Sequence, residues 1–162
     1  MITDAMRAVV GGQISRAVSY PVSESDIRRW AIAVYYPQEP PKRFWDQKWQ
    51  GGMVAPEDFN PFAWMASSAD GRPRRPGGDP DHTENALGIE GPGLTTVLNG
   101  GMSAEYGEPI RPGDVITSVN RLADYSERTG RLGHMLFTVL ADTWTNQRDQ
   151  FVKRTRMTLI RY

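Results

Sequence analysis

The second half of the chain most constrains its fold. Leu94–Tyr106 reads as extended, and Val115–Asp124, Met135–Thr145 and Phe151–Tyr162 are three further β-rich runs. Arg111-Pro112-Gly113-Asp114 has turn chemistry, with Pro and Gly setting the backbone and Asp able to accept from local N–H groups. Ser126–Gly130 and Asn146–Asp149 are polar connections of hairpin length. In the last run Phe151, Thr155, Met157 and Leu159 alternate against Arg154, Arg156 and Thr158, as in a sheet with one buried face. Strands joined this closely pair antiparallel.

The first half reads as helical. A short helix at the start leads to the extended Arg16–Pro21. Ser23 is placed to cap a following helix, and Asp26 sits near its positive end. Ile27, Trp30, Ala31 and Val34 recur at helical spacing and predict one apolar face. Pro37, Pro40 and Pro41 end that helix. Phe44–Gln50 predicts a second short helix, stopped by Gly51 and Gly52. Pro56 fits the first turn of a third helix, with Glu57 and Asp58 beside its N-terminus and Phe59, Phe62, Ala63 and Met65 on its face. Helices followed by a strand meander predict one α+β domain over 1–162. Residues 67–93, rich in Gly and Pro, predict a long inserted loop.

Composition narrows the chemistry. Nineteen basic and nineteen acidic residues cancel, so nothing points to nucleic acid or an anionic membrane. No cysteine is present, which excludes disulfides, thiolate nucleophiles and Cys-based zinc sites. That fits a cytoplasmic protein. The first residues lack the pattern of a signal peptide, and no run approaches the roughly 20 apolar residues of a membrane span. His82 and His134 are the two histidines, so a histidine base must be one of them.

Several motifs, in order, carry a resemblance. Val97-Leu98-Asn99-Gly100-Gly101, then Glu105-Tyr106, then Pro109 to Asp114, resemble a run "L-x-G-x-x-x-E-Y-x-x-P-I-R-P-G-D" that joins two central strands in MaoC-like and FAS1-like acyl dehydratases. Val18–Pro21 with Ser25–Trp30 resembles that family's opening strand and helix. Gly52-Met53-Val54-Ala55-Pro56 resembles its "G-x-V-A-P" lead into the central helix. Phe137-Thr138-Val139 and Thr143 to Gln147 resemble its next-to-last strand and turn. The resemblance covers most of the chain outside 1–14 and 67–92. It implies an α+β hot-dog fold, an antiparallel sheet wrapped around a central helix. Two such units pair within one chain or between subunits. The substrates it implies are 2-enoyl or (3R)-3-hydroxyacyl thioesters of coenzyme A or acyl-carrier protein, with no other cofactor and no metal.

Hydration of an enoyl thioester needs a base to activate water, an acid to protonate the α-carbon, and donors for the thioester oxygen. The family supplies an Asp and a His in "G-D-x-N-P-x-H" after the first helix. Here Tyr36 stands where the Asp belongs, and Pro41 or Lys42 where the His belongs. Neither substitute can act as that base. Glu39, Asp79 and His82 are weak alternatives, and His134 reads as a structural or surface residue. The backbone of Met53, Val54 and Ala55 lies where the family places its oxyanion donor. Trp45, Trp49 and Phe59 are candidates for an acyl channel, with Trp45 and Trp49 expected on one helix face. Arg72, Arg74 and Arg75 are candidates for meeting a phosphate.

The expected role is a subunit of an (R)-specific 2-enoyl-CoA hydratase or (3R)-3-hydroxyacyl thioester dehydratase. It would shape the acyl channel while a second hot-dog subunit supplies Asp and His, in a heterodimer or a dimer of heterodimers. A non-enzymatic homodimer that binds acyl thioesters, and a self-sufficient hydratase with a relocated base, stay open.

Overall fold

A computed structural model describes residues 1–65, 78–131 and 133–162. Helix α1 (Asp4–Ala8) leads to strand β1 (Gln13–Val18) and helix α2 (Glu24–Tyr35). A 3-10 turn at Lys42–Phe44, irregular chain and helix α3 (His82–Ala86) follow. Then come β2 (Val97–Tyr106), β3 (Thr117–Gly130), β4 (Gly133–Thr145) and β5 (Phe151–Arg161). The strands form one sheet in the order β1-β3-β4-β5-β2, antiparallel throughout. The α+β class stands.

The ladder register fixes which side chains share a face, because directly paired residues point the same way. Leu122, Leu140, Met157 and Met102 form one row across four strands. Tyr125, Thr138 and Leu159 form the next. This is the inner face. Two apolar clusters cover part of it. At one end Val22, Ile27, Met53, Phe59, Ile110, Ile116, Trp144 and Val152 pack together, with Trp30 against them. At the other Met6 of α1 meets Leu122, Tyr125 and Leu136, with Leu87 and Ile89 at their side. Ser23 caps α2 by accepting from the Asp26 N–H at 3.1 Å. Ile27 and Ala31 are buried as its spacing predicts, but Val34 is exposed, because it lies past the edge of the sheet-facing stripe.

Several local expectations are corrected. Residues 44–50 form no α-helix. The 3-10 turn ends at Phe44, and tertiary partners claim the backbone around it: Arg28 donates to the Trp45 carbonyl and Val54 N–H to the Arg43 carbonyl. Trp45 and Trp49 therefore share no helix face. Residues 56–65 are successive turns. Pro61 has no N–H, and Asn60 Oδ1 accepts the Phe62 N–H at 3.0 Å, a local bond that competes with helix. The described part of the 67–93 insertion holds α3, and Ser126–Gly130 is the end of β3, not a connection. A register shift beside Trp144 pairs Phe151 with Thr145, and Arg154 lies over the Phe151 ring. Phe151 thus joins the arginine-bearing outer face and leaves the face of Met157.

One polar knot sits inside. Arg161, 1% exposed, meets Glu84, 0% exposed, through two hydrogen bonds of 2.9 and 2.6 Å. Arg161 also donates to Thr138 Oγ1, and Tyr125 donates to Glu84. Burial alone would favour the neutral acid. The bonds from Arg161 and Tyr125, with the guanidinium charge, outweigh it and hold the Glu84 carboxyl below its ordinary 4.5. Burial and the bond to Glu84 push the Tyr125 phenol above its ordinary 10.0.

The signs set a pH window. Below 4.5 the unfolded chain binds more protons at Glu84 than the folded one. That contribution is complete above pH 4.5 and is lost as pH falls through the lower folded value. Tyr125 contributes fully below pH 10.0, and this is lost as pH rises beyond it. Urea midpoints should fall at both extremes. Removing one partner of such a pair costs about 3–5 kcal/mol, so Glu84→Gln should lower the unfolding free energy at pH 7 by that order and flatten its acid limb.

Candidate functional site

The Arg111–Asp114 turn anchors the region where the site was expected. Gly113 has φ 89, a conformation that favours glycine. Its N–H donates to the Val22 carbonyl at 2.8 Å. The buried Asp114 carboxylate accepts from the Arg111 N–H at 2.8 Å and from Gln147 Nε2 at 3.0 Å. Arg111 Nη1 in turn donates to the Gly51 carbonyl at 2.8 Å. These residues hold the 51–55 segment on the sheet, and Asp114 is spent on that task.

The segment's own donors are mostly engaged. Val54 N–H donates to the Arg43 carbonyl at 3.0 Å and Ala55 N–H to the Ile110 carbonyl at 2.8 Å. Of the three residues marked for an oxyanion role, Met53 is the one whose N–H has no acceptor among the described residues. It is buried with Phe59 and Trp144.

The other candidates are scattered. Tyr36 is 79% exposed at the C-terminus of α2, and Pro41, Lys42 and Glu39 are exposed beyond it. Asp79 Oδ1 accepts the Asp81 N–H at 3.0 Å and its Oδ2 accepts Asn85 Nδ2 at 2.7 Å, at the start of α3. His82 is an exposed residue of α3. The chain on from α3 packs into the cluster with Met6, whereas Met53, Ala55 and Phe59 belong to the other. The region that carries Asp79 and His82 therefore packs with a different cluster from the 53–55 segment. His134 stands at the β3–β4 hairpin, 2.9 Å from Glu127 and 3.2 Å from Thr129. Trp45 Nε1 donates to the Pro40 carbonyl, Trp49 is exposed, and Phe59 is fully buried edge-on to Trp30. Arg72, Arg74 and Arg75 lie outside the described residues. Among those described, no group of acidic and histidine residues is placed to hold a metal ion, and no helix is long and apolar enough to cross a membrane.

The structure shows a surface that the sequence reading passed over. The cover reaches both ends of β5, where Val152 and Arg161 are buried, and goes no further. Strand β2 is exposed along its whole length. Its inward residues Met102 (68% exposed), Ala104 and Tyr106 continue the rows of Met157, Thr155 and Lys153 on β5. The Lys153 ammonium lies 5.1 Å from the Tyr106 ring centre and 5.3 Å from that of Trp144. It is 3.8 Å from Asp58. Tyr106 donates to Asp58 at 3.0 Å, and that bond raises its phenol pKa. Further in, Asp142 accepts from Ser118 at 2.6 Å and from Trp144 Nε1 at 2.8 Å. A half-buried apolar strip of Leu140 and Met157, flanked by Tyr106 and Lys153, thus runs to the free edge at Met102, where a partner could close it into a trough. Its signal in the sequence was the alternation of Thr155, Met157 and Leu159. The exposure followed from where the helices stop.

The family model described as FAS1-like, dehydratase domain region, matches residues 8–155. No curated protein matches the sequence. Among solved structures, a chain of the ChsH1-ChsH2 complex from Mycobacterium tuberculosis aligns at 18% identity and TM-score 0.68. The alignment covers 98% of this chain and 88% of that one. A MaoC-like dehydratase from Rhodospirillum rubrum aligns at 18% identity and TM-score 0.55, over 94% of this chain and 92% of its own. The HadBC (3R-hydroxyacyl-ACP dehydratase) complex from Mycobacterium tuberculosis includes a chain at 16% identity and TM-score 0.55. That match covers 93% of this chain and 99% of the other. At these identities the likeness concerns the fold, and the fold is the hot-dog fold.

Hydrogen exchange checks the donor assignment. The Val54 and Ala55 amides should be protected to near the global unfolding free energy, while Met53 should exchange at least tenfold faster than either.

Proposed function

The chain belongs to the FAS1-like dehydratase-region family, and on that premise we propose that it is the non-catalytic subunit of an (R)-specific 2-enoyl-CoA hydratase or (3R)-3-hydroxyacyl thioester dehydratase. A partner hot-dog subunit supplies the catalytic Asp and His. This chain supplies the trough for the acyl group and one edge of the joined sheet.

One observation carries the reading. Tyr36 and Pro41 or Lys42 stand where the family places its catalytic pair, and neither His82 nor His134 is held beside the 53–55 segment. Addition of water across an enoyl thioester requires one group to take a proton from water as its oxygen bonds to the β-carbon, and a proton delivered to the α-carbon. Among the described residues, none that packs with Met53 offers that pair. The free β2 edge supports the partner. A strand with one unpaired side presents a row of N–H and C=O groups to another strand, and Met102 and Tyr106 beside it stay wet unless covered. Two of the solved structures with this fold come from hetero-complexes.

In this arrangement Met102, Met157 and Leu140 line the acyl path. Tyr106 and Lys153 present polar atoms at its rim. Trp45, Trp49 and the arginines at 72, 74 and 75 are not required.

The test is hydration of a trans-2-enoyl-CoA by the purified chain, alone and with a hot-dog subunit carrying Asp and His. The expected outcome is no turnover alone and turnover with the partner. Met102→Arg should weaken the pairing at least tenfold without unfolding the chain. Turnover by the chain alone, lost in Glu39→Ala, Asp79→Ala or His82→Ala, would establish a relocated base. A stable self-dimer that gains nothing from a partner would make the chain an acyl-binding homodimer.

A further inference from the structure

The outer face of the sheet has a composition that the acyl-binding role does not use. Register places Gln13, Arg121, Ala141, Arg156 and Ser103 in one row across all five strands. The row on one side is Arg16, Val119, Thr143, Arg154 and Glu105. On the other it is Asp124, Val139, Thr158 and Gly101. Four guanidinium groups therefore stand around a floor of small residues. The chain is neutral overall, so this concentration on one face is a segregation of charge.

The arginines are not equally free. Arg154 is paired with Glu105 at 3.5 Å and lies over Phe151. Arg121 gives one N–H to the Gly11 carbonyl at 3.1 Å. Arg156 is exposed and has no carboxylate partner among the described residues. It stands over a depression of about 360 Å3 lined by Gly101, Met102, Ser103, Val139, Arg156 and Thr158. The depression exists because glycine occupies β2 there. A Cβ at Gly100 would come within 2.9 Å of Ile160 and 3.1 Å of Thr158, and Gly101, at φ 121, adds no side chain. The Ser103 and Thr158 hydroxyls have no hydrogen-bond partner among the described residues. Arg156 and Arg121 are two strands apart, about 10 Å between backbones. Arg121 turns its Nη1 toward Gly11 on the β1 side, so Arg156 is the guanidinium at the depression.

We propose that this depression is a phosphate site, in which Arg156 and the hydroxyls of Ser103 and Thr158 take a phosphate group. Guanidinium donors match phosphate oxygens in pairs. The hydroxyls add donors from a different direction, which suits a tetrahedral anion better than a planar carboxylate. Asp124 and Glu105 at the margins oppose a longer polyanion. The site opens beside the free β2 edge, where Met102 borders both it and the inner face, and it goes beyond the dehydratase role; phosphate is titrated into this chain alone, so either reading can fail without the other.

The experiment is an amide NMR titration of the purified full chain with inorganic phosphate, and separately with AMP, against sodium chloride of equal ionic strength. The expected result is saturable shifts centred on Gly101, Ser103 and Thr158 that chloride does not produce. Arg156→Gln should weaken them at least tenfold and Ser103→Ala about threefold, while Arg29→Gln on α2 leaves them unchanged. Equal affinity for both probes would identify the phosphate alone as what is recognised, and tighter binding of AMP a phosphate ester. Shifts matched by chloride would overturn the proposal. So would shifts indifferent to both Arg156→Gln and Ser103→Ala in variants that melt with wild type.

Discussion

Arg161 is the last inward residue of the last strand, and the inner face around it is dry. A guanidinium there is costly unless its charge and its donors are met. Glu84 meets the charge and takes an N–H from each Nη, Thr138 takes a further one, and the Pro80 carbonyl and Asp81 accept from Nη1, while the buried Nε has no partner among the described residues. Glu84 is on α3, which comes from the middle of a Gly- and Pro-rich segment with little apolar content of its own. The ion pair therefore tells that segment where to lie. Leu87 and Ile89 follow it into the cluster with Met6 and Leu136. One end of the sheet is closed by this arrangement, and the clusters beneath it depend on that closure.

The other end is closed by different means. Between Gly51 and Phe59 the chain is held by the Arg111–Asp114 turn, by backbone bonds to Arg43 and Ile110, and by Met53 and Phe59 in the core. Fixing this segment consumes the Val54 and Ala55 donors. Neither closure reaches β2, so the sheet is covered on β1, β3, β4 and both ends of β5 and bare at β2. Coverage that stops short leaves a trough and an edge side by side. A partner strand and an acyl chain would occupy neighbouring surfaces there, which suits a subunit that shapes a substrate path without performing the chemistry.

The two faces of β5 divide the labour. Thr155, Met157 and Leu159 face the trough, and Arg154 and Arg156 face outward. A single strand with period-2 alternation can serve an apolar surface and a charged one at once, because successive side chains cannot reach the same side. The shift beside Trp144 moves Phe151 to the charged face, where Arg154 stacks on it.

Much of this was legible from residues alone. The strand runs, the Ser23 cap, the buried stripe of Ile27 and Ala31 and the Arg111–Asp114 turn rest on local chemistry, which a sequence states directly. So does the absence of the Asp and His at 36–42. Tertiary competition decided the rest. Residues 44–50 and 56–65 have helix-compatible patterns, yet Arg28, Val54 and Asn60 bind backbone groups that a helix would need. Glu84 reads as one more loop acid until Arg161, 77 positions away, removes it from water. The exposure of Met102 and the ring of arginines around Ala141 depend on strand register, which brings together residues from five distant segments. Composition and spacing determine what each segment can form. Which groups meet across the sheet, and which surface is left uncovered, is set by long-range pairing that no local pattern encodes.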